Sequence, residues 1–168
     1  MRKFNLLEII GIMTVIVVVI IIIIFLAPFL LLWSVTHEAE DRFGEIMEEH
    51  PNMVGFGGQV TKIVDGDTLW IGQEKVRLSL VNTPEHGEPG FQEAKDFALT
   101  VCPVGSNAEL VVDLLQPKDK YGRSLGLVYC NDMLLNELLL TNGHANISTY
   151  FCDKSEFGIE DWARAYGC

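Results

Sequence analysis

The sequence predicts an α+β domain, a five-stranded β-barrel with three helices, preceded by one transmembrane helix. Three observations support this prediction. An uncharged apolar run extends from Ile9 to Val35, and short strands with period-two alternation begin at residue 59. The third observation is the stretch from Asp65 to Glu85, which combines turn signals, carboxylates and an arginine. Alternation of apolar and polar residues is typical of strands with one buried face.

The apolar run over residues 9–35 predicts a transmembrane helix, since about 20 such residues span a bilayer. A signal peptide has a shorter apolar core that ends in small residues, so an uncleaved anchor is favoured over a cleaved peptide. Arg2 and Lys3 place the N-terminal residues 1–8 in the cytoplasm by the positive-inside rule. We therefore expect an acidic spacer over 36–56 and everything after it outside the cell, attached to the cell membrane.

All four cysteines lie in the part that is predicted to be outside, where disulfides persist. Four cysteines allow three pairings. Cys152 and Cys168 bracket the last predicted helix, which favours a bridge between them. Cys102 and Cys130 would then form the second bridge.

The charge of the chain restricts the class of partner. The formal net charge is −11, and residues 51–168 contain nine basic and sixteen acidic side chains. Such a domain repels polyanions at long range. This argues against a sequence-reading DNA-binding protein. It argues less against an enzyme that meets a phosphate through a cation and arginines.

The chain after the spacer is predicted to have the element order β-β-β-α-β-β-α-α. The predicted strands are 59–64, 68–71, 75–81, 108–115 and 124–130, and the predicted helices are 92–102, 134–142 and 153–166. Gly143 fits the left-handed position that ends a helix. Five short strands with an interposed helix favour an OB-type barrel over 57–151. A C-terminal helix closed by a disulfide would then occupy 152–168.

Several segments carry side chains suited to one combined site. Asp65 and Asp67 flank Gly66, Arg77 lies on the polar face of a strand, and DKYGR follows at 119–123. Carboxylate and amide oxygens bind hard cations, and arginine binds phosphate with two hydrogen bonds. Each segment alone is more typical of an ordinary turn or a solvated charge. Together they predict a cation and a phosphate in one place.

These motifs resemble the staphylococcal nuclease (thermonuclease) family. The resemblance is carried by DGDT at 65–68, RLSLVNTPE at 77–85, DKYGR at 119–123 and the N-E-L-L…G-x-A pattern at 136–145. It covers residues 59–151 and implies an OB-type barrel with three helices. It also implies a calcium-dependent phosphodiesterase that cleaves DNA and RNA with low base specificity, leaving 3′-phosphates and 5′-hydroxyls. No obligate protein partner is evident.

The resemblance also implies a set of calcium ligands. Asp67 corresponds to the first carboxylate of the family's calcium site, and Thr83 would offer its backbone carbonyl. Asn82 stands where the family has a second carboxylate. Calcium accepts amide carbonyls, but the site loses one negative charge, so we expect weaker calcium binding. Asp65 would hold these ligands in position without itself binding the calcium ion.

The catalytic roles follow from the same resemblance. Glu85 corresponds to the general base, and Arg77 and Arg123 correspond to the two arginines that hold the phosphate. Lys120 and Tyr121 lie where the family contacts the bound nucleotide. The alternative is a catalytically weak or inactive nuclease-like domain that binds nucleic acid or protein outside the cell.

Overall fold

The computed structural model describes residues 13–14, 21–22 and 54–168. Residues 13–14 and 21–22 are helical. The rest of the predicted span over 9–35, the N-terminal residues 1–8 and the spacer up to residue 53 lie outside the described residues. Within the described ranges, no helix is long and apolar enough to cross a membrane.

The domain from residue 54 onward contains eight strands and three short α-helices. The strands are β1 (Gly55–Ile63), β2 (Thr68–Ile71), β3 (Glu74–Leu78), β4 (Val81–Asn82), β5 (Asn107–Val112), β6 (Ser124–Cys130), β7 (Met133–Leu134) and β8 (Asn146–Ile147). The helices are α1 (Phe91–Val101), α2 (Leu135–Thr141) and α3 (Asp161–Ala165), with 3-10 turns at Thr149–Lys154 and Glu156–Ile159.

Five of the strands form a closed barrel. The sheet order is β3-β2-β1-β5-β6-β7, and β3 also pairs with β6 in parallel, with Val76 opposite Ser124 and Arg77 opposite Leu125. The short strand β7 extends β6, and β4 pairs with β8 in a separate two-stranded sheet. A closed five-stranded barrel with accompanying helices confirms the predicted OB-fold of the α+β class.

The barrel interior is filled by the alternating apolar residues of its strands. On β3, Val76 and Leu78 are almost fully buried. Gly126 on β6 lies against the Val111 carbonyl, where a larger side chain has no room. A buried amide links this wall to α2, because Asn136 accepts a hydrogen bond from the Val128 N–H at 3.0 Å and donates to the Ser79 carbonyl at 3.0 Å. A buried polar group with all these partners fixes the position of α2 on the barrel.

Strand boundaries differ from the prediction by more than one residue at three places. β1 begins at Gly55 rather than residue 59, so the barrel takes in two residues of the predicted spacer. β3 ends at Leu78 because Leu80 adopts a positive φ of 64°, which breaks the extended conformation. β5 ends at Val112, and the next residue, Asp113, is buried and binds backbone N–H groups.

The predicted continuous helix over 153–166 is wrong. The segment is two 3-10 turns followed by the five-residue helix α3. Ser155 and Glu160 have extended ψ angles of 137° and 145°, which interrupt the helix twice. The Ser155 hydroxyl caps the second turn by accepting from the Phe157 N–H at 3.2 Å, and Gly158 packs closely on the Cys152 carbonyl.

Two disulfides hold the domain. Cys102 is bonded to Cys130 inside the main core, where both side chains are fully buried. Cys152 is bonded to Cys168 across the C-terminal turns, and both residues are half-buried. These are the two pairs that the sequence favoured. The second bridge links the first 3-10 turn to Cys168, so the second 3-10 turn and α3 lie within the loop that it closes.

Candidate active site

The Asp-Gly-Asp turn between β1 and β2 is packed rather than free. A methyl group added to Gly66 would lie 2.7 Å from Thr83 Cγ2 and 2.9 Å from Ala94 Cβ of α1. Such distances are too short for a real side chain, so glycine is needed here for close approach. The turn therefore brings Asp67 against the β4 strand end, where Thr83 lies.

Asp67 is a buried carboxylate with partners on both oxygens. Its Oδ2 accepts from the Thr83 N–H at 2.7 Å and from the Thr83 hydroxyl at 3.0 Å. Its Oδ1 accepts from the Thr68 hydroxyl at 3.2 Å and forms an ion pair with Arg77 Nη1. Buried charges are tolerated when they are paired and hydrogen-bonded in this way.

Arg77 links the two candidate metal ligands. Its Nη1 contacts Asp67, and its Nη2 donates to Asn82 Oδ1 at 3.0 Å. The carboxylate of Asp67 and the amide oxygen of Asn82 therefore converge on one cationic group. Burial, and then the nearby Arg123, lower the pKa of Arg77, whereas Asp65, Glu85 and Asp119 raise it, and the net pKa is about 10. Arg77 remains charged at neutral pH.

Arg123 is oriented by the loop that carries it. Its Nε donates to Asp119 Oδ2 at 2.6 Å, and its Nη1 donates to the Thr68 hydroxyl at 3.2 Å. Asp119 Oδ1 also accepts from the N–H groups of Tyr121 and Arg123. Burial raises the pKa of the Asp119 carboxyl, but these hydrogen bonds outweigh it and hold the pKa below its ordinary value. The carboxylate therefore stays ionised beside Arg123.

A cavity of about 430 Å³ opens beside the two arginines. Four basic side chains line it, namely Arg77, Lys118, Lys120 and Arg123, together with the aromatic rings of Tyr121 and Phe151. Two carboxylates also line it. Asp119 is bound to Arg123, and the buried Asp113 accepts from the Ser79 hydroxyl at 3.2 Å. The cavity is thus locally basic although the domain is acidic.

Tyr121 stands at the mouth of this cavity. Its ring is 71% exposed. Arg123 Cζ lies 5.5 Å and Lys120 Nζ lies 4.9 Å from the ring centroid. Both distances fall within the range of cation–π contacts. The predicted substrate-contacting pair is therefore placed next to Arg123.

Glu85 lies in an exposed loop that is restrained by two hydrogen bonds between Glu85 and Glu88. Its N–H donates to Glu88 Oε2 at 2.8 Å, and its carbonyl accepts from the Glu88 N–H at 2.9 Å. Pro84 packs against Gly90, which has a φ of 90° and precedes α1. The Glu85 side chain is exposed to solvent, and its charge is close enough to raise the pKa of Arg77.

The structure brings most of the predicted residues together, in two groups. Arg77, Lys120, Tyr121 and Arg123 line the cavity, whereas Asp65, Asp67, Asn82, Thr83 and Glu85 do not. Arg77 connects the two groups. Sequence reasoning missed the role of Thr68, which binds both Asp67 and Arg123, and that of Asp119, although both residues stand inside motifs that were singled out.

The predicted metal site combines the Asp67 carboxylate with neutral oxygens of Asn82 and Thr83. Among the described residues, no cluster of three or more His, Cys, Asp or Glu side chains is placed to hold a metal ion. The Thr83 N–H and hydroxyl both donate to Asp67, and these bonds do not involve the Thr83 carbonyl, which is the predicted calcium ligand.

Comparison of the sequence with known protein families identifies one family. A family model described as "Staphylococcal nuclease homologue" matches residues 75–163, more than half of the chain. The chain belongs to this family. The match includes Arg77, Glu85 and Arg123, and it extends past residue 151, where the resemblance read from the sequence ended.

Individual proteins with similar sequences include two thermonucleases. A thermonuclease of Staphylococcus intermedius is 35% identical over 100 residues, which cover 54% of this chain and 59% of that protein. A thermonuclease of Staphylococcus hyicus is 31% identical over 102 residues, covering 55% and 59%. An uncharacterized protein of Bacillus anthracis is 37% identical over 103 residues, covering 56% and 48%. The chain thus spans about half the length of the relatives it matches.

The hydrogen bonds around Asp67 predict the effect of removing one of them. Thr83→Val keeps the shape of the side chain and the backbone N–H but removes the hydroxyl that donates to the carboxylate. Because a hydrogen bond to a buried charge is lost, we expect the free energy of unfolding to fall by about 1–3 kcal/mol in urea denaturation. Thr61→Val is the control. It removes an exposed hydroxyl bond to Gly72 and should change stability by less than about 0.5 kcal/mol. Equal effects of the two substitutions would contradict the buried role of Thr83.

Proposed function

We propose that this domain is a calcium-dependent nuclease that hydrolyses phosphodiester bonds of DNA and RNA with low base specificity. The observation that carries the proposal is the pairing of β3 with β6, which sets Arg77 and Arg123 side by side at a basic cavity. Membership of the staphylococcal nuclease homologue family and the thermonuclease relatives support it.

The two arginines would bind the phosphate. Each guanidinium can donate two hydrogen bonds to phosphate oxygens, and together they stabilise the charge that grows there during reaction. Lys120 and Tyr121 would contact the adjoining nucleotide. Since these groups contact phosphate and ring faces rather than base edges, little base specificity is expected.

Glu85 would act as the general base. Its exposed carboxylate can accept the proton of an attacking water, an effect of about 10²–10⁴-fold in rate. Attack of the water oxygen at phosphorus breaks the bond to the 5′-oxygen, which takes up a proton from solvent, so the products are a 3′-phosphate and a 5′-hydroxyl. The hydrogen bonds of the Glu85 backbone to Glu88 restrict the loop that carries this carboxylate.

The residues present fit calcium in donor chemistry. Asp67 supplies a carboxylate, Asn82 an amide oxygen and Thr83 a peptide carbonyl, and calcium takes all three kinds of hard oxygen. Asp67 and Asn82 already share one cation, the Arg77 guanidinium. Asp65, whose Oδ1 accepts from the Asp67 N–H at 3.2 Å, supports the turn behind them. When bound, calcium would supply charge neutralisation at the phosphate and orientation of the water.

We also propose that residues 9–35 anchor the protein in the cell membrane, followed by a spacer over 36–56, with the nuclease domain outside. Two observations support this: the absence of charge from Ile9 to Val35 and the disulfide pairing of all four cysteines, which suits an oxidising compartment.

The proposed topology predicts which end of the chain is accessible on intact cells. A tag at the C-terminus should be removed by protease added outside, and a tag at the N-terminus should be removed only after the membrane is permeabilised. The proposed orientation would be contradicted if the N-terminal tag were removed from outside while the C-terminal tag was protected. Protection of both tags on intact cells would also contradict it.

Replacing the base should separate catalysis from binding. Glu85→Gln should lower kcat on a fluorogenic single-stranded oligonucleotide by about 10²–10⁴-fold with little change in KM, because both arginines remain. The measurement uses the full chain in detergent, with millimolar calcium and, in parallel, with chelator. Glu93→Gln, an exposed carboxylate in the first turn of α1, is the matched control. A wild-type protein that binds the oligonucleotide but does not cleave it in calcium would favour the alternative, a nuclease-like binding domain.

Asn82 is the position at which calcium affinity can be raised. Asn82→Asp adds a second carboxylate beside Asp67, so calcium should bind more tightly in calorimetric titration, and the calcium concentration for half-maximal activity should fall. Asn107→Asp, at an exposed position at the start of β5, adds the same charge elsewhere and should leave both quantities unchanged. A weaker calcium affinity in Asn82→Asp would show that Asn82 is not a ligand.

A further inference from the structure

The aromatic surface of the cavity continues beyond the cavity itself. Phe151 lines the cavity and is 42% exposed. Its neighbour Tyr150 is 73% exposed and lies outside the set of lining residues. The two rings meet edge to face, with centroids 5.0 Å apart and planes at 86°. An exposed ring therefore stands next to the cavity wall, on the outer side.

A cation accompanies these rings. Lys154 Nζ lies 3.1 Å from the centroid of Tyr150 and 5.5 Å from that of Phe151. All three residues belong to the 3-10 turn Thr149–Lys154. Tyr121, which lines the same cavity, has neighbours of the same kind, Lys120 and Arg123. Each of the two tyrosine rings thus has an ammonium or guanidinium group next to it.

The turn that carries Tyr150 and Lys154 is fixed to the barrel. The Ser148 N–H donates to the Leu80 carbonyl at 2.7 Å, and the Phe151 N–H donates to the Ser148 carbonyl at 2.9 Å. Directly after Phe151, Cys152 is bonded to Cys168. A surface that is held in place before binding loses little conformational entropy when a ligand arrives.

We propose that Tyr150 and Lys154 form a second nucleotide subsite, next to the cavity, for single-stranded nucleic acid. The free face of the Tyr150 ring stacks on the base that adjoins the nucleotide in the cavity, and the Lys154 ammonium binds the phosphate between them. Stacking on aromatic side chains needs an unpaired base, so the subsite favours single strands over duplex. The inference rests on the proposed function for its substrate class, but binding by this subsite does not require catalysis.

The test measures binding in the presence of chelator, so that no substrate is cleaved. The full chain in detergent is titrated with fluorescein-labelled oligo(dT) of eight nucleotides by anisotropy and with thymidine monophosphate, which has no adjoining base, by calorimetry. Tyr150→Ala should raise the Kd of the octamer about fivefold or more, as expected for loss of a stacked base, and change the Kd of the mononucleotide by less than about twofold. Lys154→Ala should make the slope of log K against log salt shallower by about 0.7.

Two controls remove the same side-chain types elsewhere. Tyr166→Ala removes an exposed tyrosine of the same C-terminal segment that does not line the cavity, and Lys62→Ala removes an exposed lysine on β1. Both should bind the octamer as the wild type does. An unchanged octamer Kd in Tyr150→Ala overturns the proposal. An equal loss for octamer and mononucleotide also overturns it, because that result indicates a distorted cavity wall.

The outcomes also separate this inference from the proposed function. If the wild type binds the octamer through Tyr150 but does not cleave it in calcium, the subsite stands and the nuclease proposal fails. If the wild type cleaves the octamer and Tyr150→Ala binds it equally well, the nuclease proposal stands and the subsite fails. A wild type that binds neither the octamer nor the mononucleotide overturns the subsite.

Discussion

A buried carboxylate joins the segments of this site. Asp67 follows the β1–β2 turn, its Oδ2 accepts two hydrogen bonds from Thr83 after β4, and its Oδ1 contacts Arg77 on β3. Thr68 then extends the network to Arg123. A charge in this position is tolerated only because every partner is present. Removing one of them therefore loosens several segments at once, and the same contacts fix where a phosphate would be bound.

The acidic composition of the domain and its basic cavity are compatible because the charges are sorted in space. Asp67 and Asp119 are each bound to an arginine, and Asp113 is buried with N–H and hydroxyl partners. Two of these acids thus orient arginines, and Asp113 is bound by a hydroxyl and by backbone N–H groups. Net charge governs long-range repulsion, whereas the short-range field at the cavity is set by these local pairs.

The sequence predicted the barrel because its signals are local. Alternation on β3, turn residues and a stop glycine at Gly143, which has a φ of 72°, depend on neighbours in the chain. The C-terminal segment was predicted as one helix and is not, because its conformation is set by Gly158 packing on the Cys152 carbonyl and by Glu156 binding the Leu114 N–H at 2.6 Å. Such distant contacts leave no periodic pattern. The link from Arg77 to Asn82 spans only five residues, but it crosses the turn at Leu80, whose positive φ is not indicated by any turn residue in the sequence.

The parallel pairing of β3 with β6 also has a consequence for folding kinetics. It joins Val76 to Ser124, residues 48 positions apart in the chain, and pairings of large sequence separation form slowly because loop-closure entropy must be overcome first. Arg77 and Arg123 stand at this same ladder. A chain that has formed β1, β2 and β3 but has not closed the barrel contains both arginines yet has no place where they meet. The pair of arginines that we propose binds phosphate is therefore assembled by the step that completes the fold, and a partly folded chain is expected to lack it.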